Sequence, residues 1–270
     1  MGSTRARVSD RRYAAAVSRE IEERIAVGMA AFWRDRVRHL PGHVLHDVDG
    51  VVVCLTGLDD DEQNTALIER EPEDAAAALA KAERVFSSHG RTLGVDVERG
   101  RHPTVDAALR AMGLEMVATR PAMAARVQDL EPARVPEGVE IVPVTDPELL
   151  AGLVDVEVGA FETDRPVAEG LLAPSQLSLP NVRLHAALAD GRAVAQAVTN
   201  TQGGAVGVFG VATLPEYRRR GIGTAITAFA IDDVRDEADL AWLQSTDMGR
   251  PLYEGMGFRP VSDWDVWVRP

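Results

Sequence analysis

Three consecutive arginines, Arg218-Arg219-Arg220, stand directly before Gly221-Ile222-Gly223 in a chain whose formal net charge is −13. Glycine removes the Cβ atoms that would hold a ligand off the backbone, and arginine offers forked, charge-assisted hydrogen bonds to phosphate oxygens. If the segment opens a helix, the unpaired N–H groups of the first turn and the positive end of the helix dipole favour the same kind of ligand. The spacing therefore points to an anion site of the phosphate type. It matches neither Gly-x-x-x-x-Gly-Lys-Ser/Thr nor Gly-x-Gly-x-x-Gly, which argues against a P-loop and against a dinucleotide fingerprint. Residues 139–270 hold only ten basic residues, and three of them are in this loop.

Other residues could do chemistry. Tyr253 lies two residues before Gly255-Met256-Gly257-Phe258. A phenol with an ordinary pKa near 10 is a protonated donor at neutral pH. Glu162 in GAFETDR, Asp247 after LAWLQS, and His185 are the candidate bases. His43-x-x-His46-Asp47 has no further His or Cys cluster to complete a metal site, so no metal is expected. Cys54, in VVVCLTG, reads as a small apolar core residue. Neither Gly-x-Ser-x-Gly nor His-Glu-x-x-His occurs.

The elements that must position these residues are legible from periodicity and punctuation. Asp10 can cap a helix with an apolar stripe at Tyr13, Val17, Ile21, Ile25 and Met29, ended by Pro41-Gly42. Asp49-Gly50 predicts a tight hairpin. A strand near 66–69, a helix over 72–90, a strand at 92–97, a helix at 104–112 and a strand at 114–126 follow. Residues 129–138, DLEPARVPEG, have linker composition. Beyond them the pattern restarts, with a hairpin at Asp190-Gly191, a strand at 205–213 and a helix led by Pro215-Glu216 over 215–235. A strand at 239–245, a helix at 249–255 and a strand at 258–268 complete it.

The halves align on their punctuation. Gly50 matches Gly191, Pro72-Glu73 matches Pro215-Glu216, and Met112-Gly113-Leu114 matches Met256-Gly257-Phe258, at offsets of 141, 143 and 144. The reading is a duplicated α/β domain, 1–128 and 139–270 joined by 129–138, each copy a mixed sheet with helices on its faces. Carried back by 143, the arginine loop falls on Ala75–Ala80, so only the second copy keeps it.

In this setting the residues resemble the GNAT superfamily of N-acetyltransferases, whose signature is Gln/Arg-x-x-Gly-x-Gly/Ala opening a helix after a central strand. Here it reads Arg218-x-x-Gly221-x-Gly223, within GVATLPEYRRRGIGTAI. PLYEGMGFRPV (251–261) resembles the family's later Tyr…Gly-Phe signature. The match is good over 205–270 and extends as a fold pattern over 139–270. The first half resembles the degenerate N-terminal halves of tandem members.

The resemblance implies an α/β fold of two tandem GNAT-like domains, each with a mostly antiparallel mixed sheet. It implies acetyl-CoA as co-substrate, its diphosphate on the loop Arg218, Arg219, Arg220, Gly221, Ile222, Gly223 and Thr224. Backbone amides near Val211, Ala212 and Thr213 would pair with the pantetheine arm. Tyr253 would protonate the departing thiolate, and Glu162 falls in the segment that lines the acceptor site. Many members carry Asn a few residues before the catalytic Tyr, where this chain has Asp247-Met248-Gly249-Arg250.

Composition narrows the acceptor. A calculated pI near 4.9 speaks against a nucleic-acid footprint and for a cationic small substrate. No apolar run approaches the roughly 18 residues of a membrane span. A single cysteine gives no sign of an oxidising compartment, so cytoplasm is the expectation. The expected activity is N-acetylation of a small-molecule amine. The alternatives are a CoA-binding sensor in which Tyr253 is incidental, and an interaction protein whose arginines meet an acidic partner.

Overall fold

In the computed structural model residues 3–270 are described, with side chains from residue 18 onward. The chain opens on helix α1 (Ser3–Arg38), so Asp10 lies inside that helix rather than capping it. Tyr13 and Val17 fall outside the described side chains. The rest of the predicted stripe faces inward: Ile25 and Met29 are buried, and Ile21 is half-buried.

Strands β1 (Val44–Val48) and β2 (Val51–Leu55) pair antiparallel. Asp49 and Gly50 between them have φ of 53° and 84°, the doubly positive turn that matches the twist of a two-residue hairpin. Next come β3 (Thr65–Ile68), α2 (Ala75–Ser88), β4 (Gly94–Glu98), α3 (Pro103–Ala111) and β5 (Glu115–Arg126). After the linker segment come β6 (Val139–Pro143), α4 (Pro147–Phe161), α5 (Arg165–Leu171), β7 (Val182–Ala189) and β8 (Arg192–Gln202). Asp190 and Gly191, at φ 51° and 76°, repeat the first hairpin's turn. The chain then runs through β9 (Ala205–Thr213), α6 (Ile222–Asp232), β10 (Leu240–Gln244), α7 (Arg250–Met256) and β11 (Arg259–Val268).

The expectation of two separate sheets is corrected by the strand order. All eleven strands form one sheet, β1-β2-β3-β4-β11-β5-β10-β9-β8-β7-β6. Each half gives its last strand to the other: β11 pairs with β4, and β5 pairs with β10. Outward from the central β11–β5 pair the two sides mirror each other, β4 to β1 against β10 to β7. Parallel pairing recurs at the same place, β3 with β4 and β9 with β10. Strand order and parallel pairing are thus mirrored about the β11–β5 pair, while the boundary expected between 1–128 and 139–270 is crossed by exchanged strands. A strand's alternation fixes which side chains face the core, not which neighbour supplies its ladder.

Helix α1 ties the halves together further. Trp242, fully buried on β10, sits between two glycines: a Cβ on Gly28 of α1 or on Gly207 of β9 would come within 2.8 or 2.7 Å of its ring. Phe32 stacks on Phe209 of β9, ring centroids 3.6 Å apart. The C-terminal part of α1 therefore packs against strands of the second half as firmly as against its own.

Candidate active site

The parallel strands β9 and β10 pair only from Ala205 to Val208 of β9, although β9 runs on to Thr213. On that side the backbone of Phe209 to Thr213 has no strand partner, which opens a cleft between the C-terminal ends of the two strands. On the other side β9 bulges against β8. Gln196 pairs with Ala212 and Val198 with Phe209, so Gly210 and Val211 stand opposite one residue. Gly210 takes φ 55° there. A bulge of this kind bends the strand and re-aims its backbone groups. Of the three predicted β9 contacts, Ala212 is buried while Val211 and Thr213 are half-exposed at the cleft.

The arginine loop sits at the end of this strand. Pro215–Tyr217 form one 3-10 turn, and α6 begins at Ile222 rather than at Pro215. The predicted helix over 215–235 is shortened because Gly221 adopts φ 80°, a left-handed conformation that stops helix from propagating back through it. No side chain caps α6, and its first turn-closing bond is from Ala225 N–H to the Gly221 carbonyl. The N–H groups of Ile222, Gly223 and Thr224 thus precede the helix ladder and point out of its N-terminus, as an anion site needs.

The arginine side chains have different jobs. Arg218 donates to the carbonyls of Thr213 and Ala160, each at 3.0 Å. Arg220 donates to the Glu216 carbonyl at 2.8 Å and lies over the Tyr217 ring. Arg219 is exposed, at φ 61°, and makes no hydrogen bond among the described residues. Of the three arginines expected at the ligand, Arg218 and Arg220 are thus bonded to backbone carbonyls in this structure.

Helix α7 closes the site. A Cβ on Gly223 would meet Leu252 Cδ1 at 3.2 Å and Thr213 Oγ1 at 3.8 Å, so the end of β9, the start of α6 and the middle of α7 converge on one glycine. Tyr253, next to Leu252, is 9% exposed and packs edge-on against Phe258. Its hydroxyl has no hydrogen-bond partner among the described residues and is not among the buried unpaired polar atoms, so it keeps some access to solvent. Burial pushes the phenol up to about 12, which keeps it a proton donor across the physiological range.

The candidate bases are scattered. Glu162 is exposed and forms the left-handed cap, φ 61°, after α4. Asp247 is exposed in the turn after β10. His185 is fully buried, bonded through Nε2 to Asp233 at 3.1 Å at the opposite end of α6 from Gly221. Burial holds its imidazole below the usual value.

Glu157 on α4 was not singled out from the sequence. Its carboxylate accepts from Gln196 Nε2 at 2.5 Å and, loosely, from Thr163 Oγ1 at 3.4 Å. Burial pushes it above the usual carboxylate range, against the opposing pull of the Arg36 guanidinium. The one sequence-level signal is an acid at 157 between two valines in VDVEVGAF, a run that also carries Asp155.

Two cavities lie elsewhere: one of 330 Å³ lined by Glu98, Arg101 and Ser262, and one of 420 Å³ lined by Arg126, Arg235 and Asp239. Among the described residues no group of three His, Cys, Asp or Glu side chains could hold a metal ion, and no helix is long and apolar enough to cross a membrane.

Comparison with known proteins agrees with this geometry. Residues 180–260 match the family model of the acetyltransferase (GNAT) domain. Among solved structures, a GCN5-related N-acetyltransferase from Kribbella flavida superposes with a TM-score of 0.73 at 25% identity, covering 92% of this chain and 95% of that one. A tandem GNAT protein from the clavulanic acid biosynthesis pathway superposes with a TM-score of 0.63 at 18% identity, covering 85% and 84%. A conserved protein of unknown function from Staphylococcus epidermidis gives 0.60 at 12% identity, covering 84% and 94%. No curated protein matches the sequence.

Proposed function

We propose, from the premise that this chain carries a GNAT acetyltransferase domain and is an acyltransferase, that it moves the acetyl group of acetyl-CoA onto the amine of a small molecule. Acyl-CoA-dependent acetyl transfer is the chemistry of that domain. The observation that carries the finer reading is the uncapped start of α6 beside the unpaired stretch of β9. A diphosphate fits the three free N–H groups and the glycines at 221 and 223, where no side chain stands between backbone and ligand. An extended amide-bearing arm fits the open edge of Phe209 to Thr213, which offers the donors and acceptors of a strand without its partner.

Within this reading the Val211–Thr213 backbone aligns the thioester, and Tyr253 supplies the proton that the departing thiolate takes. A phenol held protonated by burial is available as the donor at every physiological pH, when negative charge develops on sulfur as the C–S bond breaks. The acetyl-CoA brings the activated acyl group; the chain's own residues bind, orient and move protons. A net charge of −13 favours a cationic amine, and the buried, single Cys54 suits a cytoplasmic setting.

The first half lacks the equivalent site in this reading. Its matching helix, α2, starts at Ala75, where the offset places Arg218, and the Asp74 carboxylate accepts from Ala77 N–H at 3.0 Å. A carboxylate already occupies the helix start and would repel a diphosphate. The first half then serves as scaffold, through β5 and α1, and shapes the acceptor side.

The test is thiol release from acetyl-CoA with a panel of primary amines. Amine-dependent release with a mass gain of one acetyl on the amine is the expected result. Tight acetyl-CoA binding with no release for any amine would contradict transfer and favour a sensor.

A further inference from the structure

We propose that Glu157 is the catalytic residue that takes the proton from the acceptor amine, in an acceptor site built by both halves of the chain around it. The inference rests on the acetyl-transfer reading above. Glu157 stands where the acceptor must arrive. Its partner Gln196 pairs with Ala212 across the β8–β9 ladder, and a Cβ on Gly210 would lie 3.9 Å from the same Gln196 Nε2 that holds the carboxylate. Further along α4, a Cβ on Gly159 would reach Leu214 Cδ2 at 2.6 Å, and the Ala160 carbonyl holds Arg218. The helix that carries Glu157 is therefore pressed against both the bulge of β9 and the root of the anion loop.

The polar groups around Glu157 are left incomplete in a way that describes a ligand. Gln196 is 2% exposed, and its Oε1 is a buried oxygen without a partner among the described residues. The carboxylate's Oε1 has only the long bond to Thr163. Both of these positions are acceptors, and the unpaired buried donor near them, Arg36 Nε, bonds to neither, so a cationic donor beside the carboxylate complements them. A small molecule with a primary ammonium group satisfies both oxygens at once.

The charge balance comes from the first half. Arg36, near the end of α1, bonds to Gln63 and lies 5.5 and 5.7 Å from the Phe32 and Trp33 rings. Its guanidinium acts on Glu157, and Asp60 acts on Arg36 from behind. Gln196 of β8 and Thr163 of the α4–α5 connection are the uncharged neighbours. Burial pushes Glu157 above the usual carboxylate range while Arg36 pulls the other way, so the carboxylate holds a proton more readily than an exposed glutamate does. Arg36 is thus a positioning residue that sets the proton affinity of the base.

The step balances. The ammonium nitrogen gives one proton to the Glu157 carboxylate, and the freed lone pair attacks the thioester carbon. The C–N bond forms, the C–S bond breaks with its electron pair on sulfur, and the thiolate takes a proton from Tyr253. The nitrogen sheds its remaining extra proton, which restores Tyr253 through solvent. Glu157 returns its own proton to bulk, so one proton is released per turnover.

Two readouts on the full chain test this. The side-chain carboxyl carbon of Glu157, assigned by its loss in Glu157→Gln, is titrated by NMR with and without saturating ethanolamine. A midpoint above the ordinary value of about 4.3 is expected. It falls when ethanolamine binds, rises in Arg36→Gln, and is restored in Arg36→Lys. With the best amine of the panel, kcat/KM should show an acid limb at the amine-free midpoint. Glu157→Gln should remove that limb and lower kcat by roughly 10²-fold while acetyl-CoA affinity holds. A Glu157→Gln enzyme that keeps its kcat and acid limb overturns the proposal. If no amine turns over, the transfer reading fails by itself, and the NMR titration still decides: a midpoint unmoved by ethanolamine and by Arg36→Gln overturns the role of Glu157.

Discussion

Arg218 donates from Nε to the Thr213 carbonyl at 3.0 Å, and its other arm reaches the Ala160 carbonyl at the same distance. One side chain thereby joins the end of β9, the end of α4 and the start of the arginine loop. The arginine most characteristic of the motif is thus engaged with two backbone carbonyls, and in the proposed reading the backbone amides of the loop are left to face the ligand.

Arg218→Ala should therefore act through order. Acetyl-CoA affinity by calorimetry is expected to fall about tenfold, with faster amide exchange over residues 218–221. Arg219→Ala, which removes an exposed side chain without such bonds, should leave that exchange unchanged. Unaltered affinity and exchange in Arg218→Ala would mean the loop holds its shape without the brace.

Tyr253→Phe keeps the ring against Phe258 and deletes a hydroxyl that has no partner among the described residues. Thermal stability and acetyl-CoA affinity should stay constant while single-turnover acetyl transfer slows by roughly 10²-fold. Because burial pushes the phenol up to about 12, the wild-type rate should show no alkaline decline from this group below pH 10. An unchanged transfer rate with saturating amine would remove Tyr253 from the mechanism.

Local features were the ones legible in the sequence. Asp49-Gly50 and Asp190-Gly191 announced two hairpins because a doubly left-handed turn needs such residues, and both adopt it. Gly221 was legible as a break before α6 for the same kind of reason, and it takes φ 80°. The strand exchange was hidden, since β5 and β11 read as strands whichever sheet receives them. Glu157 was hidden too. Its character comes from Arg36 and Gln196, 121 residues before and 39 after it in the chain, and only the fold brings them together.

His185 gives the chain a pH-dependent stability term. Burial holds its imidazole below the usual value in the folded state, whereas the unfolded chain takes up a proton near pH 6.5. Its stabilising effect is complete above that pH and is lost as pH falls through it. Between pH 7.5 and 5.5 the melting temperature of the wild type should drop by more than that of His185→Gln, which can still bond to Asp233. Equal drops in the two proteins would show that His185 is not the titrating group.

The most direct test of the account is a calorimetric titration of the full chain with acetyl-CoA, beside Gly221→Asp. Asp at 221 must take up φ 80° and places a carboxylate at the start of α6, where the diphosphate is to bind. One site per chain in the wild type and none in Gly221→Asp is the predicted result. A stoichiometry near two, or undiminished binding in Gly221→Asp, would contradict a single acetyl-CoA site at the start of α6.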